Sequence, residues 1–224
     1  MPTGKDRYEY AVIGMGQFGA SVALRLHELG YGVLGIDRSR AVIQALADQL
    51  PNLLVMDATD EDALAAIEIA TFDVVLVAIG DDLARSIIMV IALKDIGVRH
   101  VICKAMNDHD GRILMRVGAD EVVMPEYEYG RWTAERLAIT GAKTVQEVEP
   151  GIVLCSMQAP SRAAGKSLND LDLNKPGVEV LLLSGAQRQS MPGPNTIVAE
   201  GDTLWLMGSE SALRSLTIFR GNGG

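Results

Sequence analysis

The sequence predicts a doubly wound α/β domain with a mostly parallel sheet, followed by a small α+β domain. From Tyr8 to Met124, apolar strand-like runs alternate with segments of helical periodicity. The runs are nearly continuous in Val, Ile and Leu, which is typical of parallel strands that helices cover on both faces. After Gly141 the pattern changes to short β-like runs joined by connections rich in Gly and Pro.

The first domain is predicted at 1–140, with strands and helices in strict alternation. Ser39 and Asp60 suit helix N-caps, and Gly30 and Gly97 suit positions just past helix ends. The strands are expected at 8–14, 31–37, 52–57, 73–80, 100–105 and 120–124. The helices are expected at 17–30, 39–50, 60–67, 82–97, 107–118 and 126–140.

The second domain is predicted at 151–220, after a linker or short strand at 141–150 and before a disordered tail at 221–224. Its strands are expected at 151–157, 178–185, 195–200 and 202–208, with an exposed hairpin loop at 185–195 and a closing helix at 209–218.

Composition and charge exclude several classes of protein. With 48% hydrophobic and 22% charged residues the chain is not intrinsically disordered. The net charge is −9 and no basic stripe is present, so nucleic acid is not an expected partner. No apolar run reaches the roughly 18–20 residues of a membrane span, and the N-terminus has no signal-peptide pattern. We expect a cytoplasmic protein whose two cysteines are reduced core thiols.

The first predicted strand ends in the motif Gly14-Met15-Gly16-Gln17-Phe18-Gly19, a G-x-G-x-x-G that opens directly onto a helix. Gly14 allows the tight turn, Gly16 lets a pyrophosphate approach the backbone, and Gly19 lets helix and strand pack closely. The start of the helix offers free N–H groups and about half a positive charge to an anion. The motif in this context predicts a Rossmann-like nucleotide site.

An acidic residue stands where a ribose-binding residue is expected. Asp37 ends the second predicted strand, 18 residues after Gly19, near the expected separation of about 20. Its carboxylate would bind a ribose diol and repel a 2′-phosphate, which disfavours NADP. Arg38 beside it weakens that argument because an adjacent Arg can accommodate such a phosphate.

Residues for catalysis are missing from the sequence. The three histidines have no Cys or acidic partners at metal-ligand spacing, and no G-x-S-x-G motif is present. Tyr127 is followed four residues later by Arg131, so the Tyr-x-x-x-Lys pair of short-chain dehydrogenases is absent too. A nucleotide site without groups to transform the nucleotide predicts a sensor rather than an enzyme.

Five blocks of the chain carry a family resemblance, and the last two are more specific than the glycines. The blocks are AVIGMGQFG (11–19), LHELGYGVLGIDRS (26–39), MDATDEDAL (56–64), DVVLVAIGDD (73–82) and HVICKAMNDHDGRILMRVGADEVVMPEYEYG (100–130). Together they resemble the RCK (KTN) domain, the regulator of potassium conductance, and in particular the free-standing subunits of bacterial Ktr and Trk (TrkA-type) potassium uptake systems. Residues 145–218 resemble the family's C-terminal RCK_C domain more loosely.

The resemblance implies a cytosolic gating subunit that forms a dimer-based homo-oligomer, commonly an octameric ring, on a membrane potassium-translocating subunit at the inner face of the plasma membrane. ATP or ADP, or NAD(H) in some relatives, would bind the first domain and change the shape of the ring. Mg²⁺ or another divalent cation is a further expected ligand, and cyclic di-AMP is a candidate ligand of the second domain. The helix at 126–140 would pack on a neighbouring subunit through Trp132, Leu137 and Ile139.

Carried over by position, the resemblance also implies the roles of individual residues. The three motif glycines would hold phosphates and Asp37 the ribose. The remaining candidates are Asp57 and Ala58 bordering the adenine, Ala78, Ile79 and Gly80 lining the cleft near ribose and phosphates, Lys104 reaching phosphate, and Glu126 near the ribose or a cation at the dimer junction.

One position departs from the family pattern. Many uptake regulators have Arg where this chain has Gln17, and that Arg contacts the terminal phosphate of ATP. Because Gln carries no charge, a charge-assisted hydrogen bond is lost, and the hypothesis is a weakened preference for ATP over ADP.

Three rival functions are weighed against the gating subunit. An NAD-dependent oxidoreductase would need a proton-transfer residue in the cleft, and a nucleotide-sensing transcription factor would need a helix-turn-helix or a basic face. Neither feature is found in the sequence. The detached RCK gating domain of a potassium channel stays an alternative.

Overall fold

The structure, a computed structural model, describes residues 9–173, 176–185 and 188–219. The chain divides into two compact units between Tyr127 and Glu128, within a single helix. The predicted boundary, at residue 140, lies near the other end of that helix. The predicted tail at 221–224 lies outside the described residues.

The elements of the first unit follow the predicted alternation of strand and helix, with ends that differ by a few residues. They are β1 (Glu9–Ile13), α1 (Gln17–Glu28), β2 (Gly32–Asp37), α2 (Arg40–Leu46), β3 (Leu53–Val55), α3 (Glu61–Ala66), β4 (Val74–Val77), α4 (Leu83–Ile96), β5 (Val101–Lys104), α5 (Asp108–Arg116), β6 (Glu121–Val123) and the start of α6 (Pro125–Ala138).

The six strands form one parallel sheet in the order β3-β2-β1-β4-β5-β6. This is the doubly wound order, in which the chain leaves β1 to one side and returns to β4 on the other. Ligands of such sheets bind at the carboxyl ends of the strands around that point of reversal. The predicted fold class is confirmed. The sheet order predicts a ligand site at the carboxyl ends of β1 and β4.

Helices bury both faces of the sheet, as the continuous apolar strands predict. On one face Val12 and Leu76 pack with Ala23 of α1 and Ile43 of α2. On the other face the strands pack against the buried residues of α3, α4 and α5, among them Leu64.

Most helices of the chain begin at a residue whose side chain accepts a hydrogen bond from the first turn, which satisfies one of the free N–H groups there. These N-caps are Ser39 of α2, Asp60 of α3, Asp82 of α4, Asn107 of α5 and Ser209 of α7 (Glu210–Arg214).

The second unit is built on an antiparallel sheet in the order β10-β9-β11-β8-β7. Its strands are β7 (Ala142–Glu149), β8 (Ile152–Gln158), β9 (Val178–Ser184), β10 (Arg188–Ser190) and β11 (Thr203–Ser209), and α7 follows them. Of the two alternatives for 141–150, a linker or a short strand, the structure has the strand, whose backbone pairs with β8 along the edge of the sheet. The predicted closing helix is shorter than expected and is followed by a 3₁₀ turn at Thr217–Phe219.

The predicted strand at 195–200 is wrong. Val198 is fully buried, but the segment has only an isolated bridge, between Ile197 and Ser167, and loop hydrogen bonds that join Thr196 and Val198 to residues 165–168. The predicted hairpin loop at 185–195 contains β10, which pairs with β9.

Within the described residues, none of the helices combines the length and apolar character needed to span a bilayer. Cys103 and Cys155 are both free thiols in the core, and burial raises the pKa of each to about 12.

Asp120 joins α4, β5 and β6 in the first unit. One carboxylate oxygen accepts the ammonium of Lys94 and the backbone N–H of Val101, each at 2.7 Å. Burial raises its pKa, but the hydrogen bonds from Lys94 and Val101 outweigh burial and leave the pKa below its ordinary value. The ionised carboxylate therefore stabilises the fold.

We expect Asp120→Ala to lower the free energy of unfolding by about 1–2 kcal/mol at pH 7, since the buried Val101 N–H loses its acceptor. The difference in free energy of unfolding between the variant and the wild type is fully present above the ordinary Asp pKa of about 4. It disappears as the pH falls through the lower pKa that Asp120 has in the folded state. Urea unfolding between pH 3 and 7 measures it. Asp95→Ala, at an exposed position of α4, is the control and should change little; equal losses in both variants would contradict the prediction.

Candidate functional site

The turn between β1 and α1 depends on Gly14. Its φ of +93° lies in the left-handed region that favours glycine. Its N–H donates to the carbonyl of Ile36 in β2 at 2.8 Å. A Cβ atom at this position would stand 2.8 Å from Cγ1 of Ile79, so the end of β4 closes against the turn.

Gly19 sets the distance between α1 and the sheet. A Cβ atom on Gly19 would overlap the carbonyl oxygen of Gly14 and would lie 3.1 Å from the Cβ of Ala78. Glycine at 19 and a small residue at 78 therefore let the first turn of α1 lie directly on the ends of β1 and β4.

Gly16 is the N-cap of α1, and it is different from the other two glycines. Its backbone is extended (φ −67°, ψ −172°) and open space lies in front of it, since a Cβ would meet nothing within 4 Å. No side chain caps the helix, and the first helical bond runs from Ala20 to the carbonyl of Gly16 at 2.9 Å. The N–H groups of Gln17, Phe18 and Gly19 have no acceptor in the described part of the chain, so an anion can approach them.

Asp37 fastens this turn to the second strand. Its Oδ2 accepts the N–H of Met15 at 2.8 Å, and its Oδ1 accepts the N–H of Ser39 at 2.8 Å. A carboxylate has about four lone-pair positions, so each oxygen can accept a further hydroxyl. Asp37 thus lies one strand away from the open helix start, at the same edge of the sheet.

Lys104 lies across the opposite side of the turn, at the end of β5. Its carbon chain covers Gly80, where a Cβ would stand 2.9 Å from Cε. Its ammonium is 2.6 Å from Oε1 of Glu126 and 6.0 Å from the centre of the Phe18 ring. The hydrogen bond from Lys104 holds the pKa of Glu126 below its usual value. A mostly buried cation therefore stands beside the first turn of α1.

Asp57 forms a separate cluster after β3. Its Oδ1 accepts the backbone N–H of Thr59 at 3.1 Å, the hydroxyl of Thr59 at 2.9 Å and the guanidinium of Arg85 at 2.9 Å. The hydrogen bonds from Thr59, and then the charge of Arg85, lower the pKa of Asp57. Ala58 next to it is buried.

Two family models together match most of the chain. Residues 10–125 match the TrkA-N domain and residues 153–218 match the TrkA-C domain. The chain belongs to the TrkA domain family. The resemblance to RCK proteins is confirmed.

Relatives at full length agree with this assignment. The chain is 32% identical to the Ktr system potassium uptake protein C of Bacillus subtilis (strain 168) over 90% of its length and 92% of the relative's. It is also 32% identical to the Ktr system potassium uptake protein A of Vibrio alginolyticus, over 95% and 97% of the two chains.

Solved structures share the fold of this TrkA-family chain. The GsuK channel matches 100% of it with a TM-score of 0.64 at 15% identity, and the chain spans 41% of the length of that channel. The same channel bound to NAD matches with a TM-score of 0.62 at 15% identity, over 100% and 41% of the two chains. The channel bound to ADP matches with a TM-score of 0.53 at 15% identity, over 61% and 36%.

The structure brings most of the candidate site residues together around the start of α1 and leaves the others apart from it. The motif residues, the end of β4, Lys104 and Glu126 surround the start of α1, and Asp37 joins them through Met15. Asp57 and Ala58 stand beyond Asp37 at the β3 end. Gln17 and Arg38 are exposed, and no ion pair of Arg38 is found in residues 9–173, 176–185 and 188–219.

Three groups that bind the site carboxylates were not predicted from the sequence. The amide of Met15 could not be predicted from residue type, because nearly every residue type has a backbone N–H. Thr59 follows Asp57 by two positions, a spacing typical of local side-chain turns. Arg85 is 28 residues from Asp57 in the sequence, and only its place near the start of a mostly apolar helix marks it.

The predicted cation at Glu126 has no cluster of ligands around it. In the described ranges, no group of three or more His, Cys, Asp and Glu side chains could hold a metal ion. Glu126 itself is paired with Lys104. A divalent cation there stays a prediction, and it would have to compete with that ammonium.

Substitution of Gly19 tests the close packing of α1 on the sheet. Gly19→Ala should lower the free energy of unfolding by about 2 kcal/mol or more, because the new Cβ overlaps the Gly14 carbonyl. Gly130→Ala is a matched control within α6, where a Cβ meets nothing within 4 Å. It should stabilise by about 0.5–1 kcal/mol. Chemical unfolding measures both, and a neutral Gly19→Ala would refute the packing role.

Proposed function

We propose that this protein is a cytoplasmic regulatory subunit that binds an adenine nucleotide at the start of α1 and thereby controls a membrane potassium transport protein. The observation that carries the proposal is the uncapped start of α1, open to solvent at Gly16 and adjacent to the Asp37 carboxylate. The site candidates keep the roles that were carried over to them by position.

The strand order supports one arrangement of the nucleotide along the sheet. Phosphates would lie against the free N–H groups at the β1 end, where the helix dipole favours negative charge. The ribose would lie at the β2 end, where its hydroxyls can donate to Asp37. The base would then lie toward the β3 end, next to Ala58. Lys104, on the other side of the turn, can approach the terminal phosphate. NAD and ADP in the GsuK channel support adenine nucleotides as the ligand class.

The groups around the turn favour regulation over catalysis. Lys104 is held by Glu126 and Asp37 by two backbone amides, so neither is placed as a free acid or base. The relatives are named potassium uptake proteins, which supports a role in transport. If the protein were an oxidoreductase, the absorbance of NADH would change when a substrate is added.

Control of a partner requires that the nucleotide prefer one conformation. Moving an equilibrium from 1:99 to 99:1 needs about 5.5 kcal/mol of differential binding, which identical sites in an oligomer can share. Exposed apolar side chains support assembly with other copies: Tyr127, Tyr129 and Leu137 on α6 are 59–70% exposed. Ile139, expected at that interface, is instead buried in the core of the second unit. An octameric ring and cyclic di-AMP in the second unit stay predictions.

Gly16→Ser separates ligand binding from folding. Ser is a good N-cap, so its hydroxyl should satisfy a helix N–H and keep or raise the melting temperature. The same side chain fills the open space in front of the helix and occupies an N–H group that would otherwise donate to the phosphate. We expect ADP affinity to fall at least about tenfold in calorimetric titration.

Gly193→Ser is the matched control, since a Cβ at Gly193 also meets nothing within 4 Å. It should bind ADP as the wild type does. An unchanged ADP affinity in Gly16→Ser would contradict the proposed site.

Gln17→Arg tests the nucleotide preference. Arg restores a charge-assisted hydrogen bond to the terminal phosphate, so the ratio of ATP to ADP affinity should rise about tenfold. Gln17→Met, similar in length and uncharged, should not raise it. Much tighter binding of ATP than of ADP by the wild type would refute the hypothesis that Gln17 weakens this preference.

Rubidium uptake tests the regulatory role itself. Cells without their own potassium uptake would produce a Ktr-type membrane subunit with the wild type, with Gly16→Ser or with no added chain. We expect uptake to depend on the chain and to lose its response to cellular nucleotide levels in Gly16→Ser. Equal uptake in all three strains would overturn the role.

A further inference from the structure

We propose that Thr59 and Arg85 make the site selective for adenine over guanine, by occupying one oxygen of Asp57 and leaving only the other free. Arg85 acts as a positioning residue, since it would touch Asp57 and not the base. The inference rests on the proposed function, because it assigns the base of the nucleotide bound there.

The sheet order places the base next to Asp57. Phosphates at the β1 end and ribose at the β2 end leave the β3 end, the next strand outward, for the base. Asp57 follows β3 by two residues, and its carboxylate is half-exposed at 53%. Its neighbour Ala58 is 3% exposed and adds a small apolar wall.

The hydrogen bonds of Asp57 are unevenly divided between its two oxygens. The amide and hydroxyl of Thr59 and the Nη2 of Arg85 all donate to Oδ1, at 2.9–3.1 Å. Oδ2 has no donor in the part of the chain that the structure describes. Because a carboxylate oxygen offers about two lone pairs, Oδ1 is saturated and Oδ2 is the available acceptor.

Arg85 is fixed well enough to hold the carboxylate in this orientation. Its side chain is only 19% exposed, although it carries a charge. Its backbone N–H donates to Oδ1 of Asp82, the N-cap of α4, at 3.1 Å. The next residue, Ser86, donates to the carbonyl of Ile79 at 3.0 Å, so the first turn of α4 is tied to the end of β4.

A carboxylate with one free oxygen distinguishes the two purines. Adenine presents an amino donor at its 6-position, and a single N–H can bond to Oδ2. Guanine presents an acceptor oxygen there, which faces the lone pairs of Oδ2. The favourable contact of guanine with a carboxylate is a two-point one, in which N1–H and the 2-amino group each donate to a different oxygen. Oδ1 is already taken, so guanine is rejected by an unpaired contact rather than by shape.

The test is the ratio of ADP to GDP affinity, measured by calorimetry on the full chain. The variants are Arg85→Met, which keeps length without charge, Thr59→Val, which removes only the hydroxyl, and the two combined. Arg25→Met is the control, since Arg25 pairs with Glu28 on the exposed far end of α1. Thermal melts show whether each variant folds.

We expect the wild type and Arg25→Met to prefer ADP by at least about tenfold. Each single variant leaves two donors on Oδ1 and should keep this ratio near that of the wild type. The combined variant leaves only the Thr59 amide and should lower the ratio about fivefold, because one lone pair of Oδ1 becomes free to accept from guanine. A merely structural role would weaken ADP and GDP equally and leave the ratio unchanged in the combined variant too, and that result would overturn the inference alone. A wild type that binds no adenine nucleotide would overturn the proposed function as well.

Discussion

The contact between Gly19 and the carbonyl of Gly14 is the constraint on which the site depends. It brings the first turn of α1 onto the ends of β1 and β4, at a distance that no side chain at 19 would permit. At that distance Ile79 closes against Gly14 and Lys104 reaches over Gly80 toward Phe18. The constraint is geometric, and it places three strand ends around one helix start.

The same turn leaves α1 without a side-chain cap, whereas α2, α3, α4, α5 and α7 each have one. A glycine N-cap such as Gly16, in place of Ser, Thr, Asp or Asn, costs a helix roughly a few tenths of a kcal/mol. The chain tolerates this loss where a nucleotide phosphate would supply the acceptors. In the proposed function, a nucleotide bound there would link its free energy of binding to the position of α1 against β4. That linkage would be the physical means by which the ligand controls the partner.

Much of the first unit could be predicted because its strands are buried on both faces and its helices carry capping residues. The elements of the second unit were harder to predict because its strands are not all buried on both faces. β7 reads AKTVQEVE, and only Val145 of its eight residues is buried, so an edge strand left no apolar run to recognise. Val198 is buried without being in a strand, and it produced a false one. In the site, Gly14, Gly16, Gly19 and Asp37 were readable from spacing. Arg85 was not, because its link to Asp57 exists only after α4 folds against the sheet.

Hydrogen exchange with and without ADP tests the central claim most directly. The amides of Gln17, Phe18 and Gly19 have no acceptor among the described residues, so in the free protein they should exchange faster than the amides of the later turns of α1. The account predicts that saturating ADP slows exchange in peptides covering residues 12–20 more than in any peptide of the second unit. Protection confined to the second unit, or none anywhere at saturation, would contradict a nucleotide bound at the start of α1.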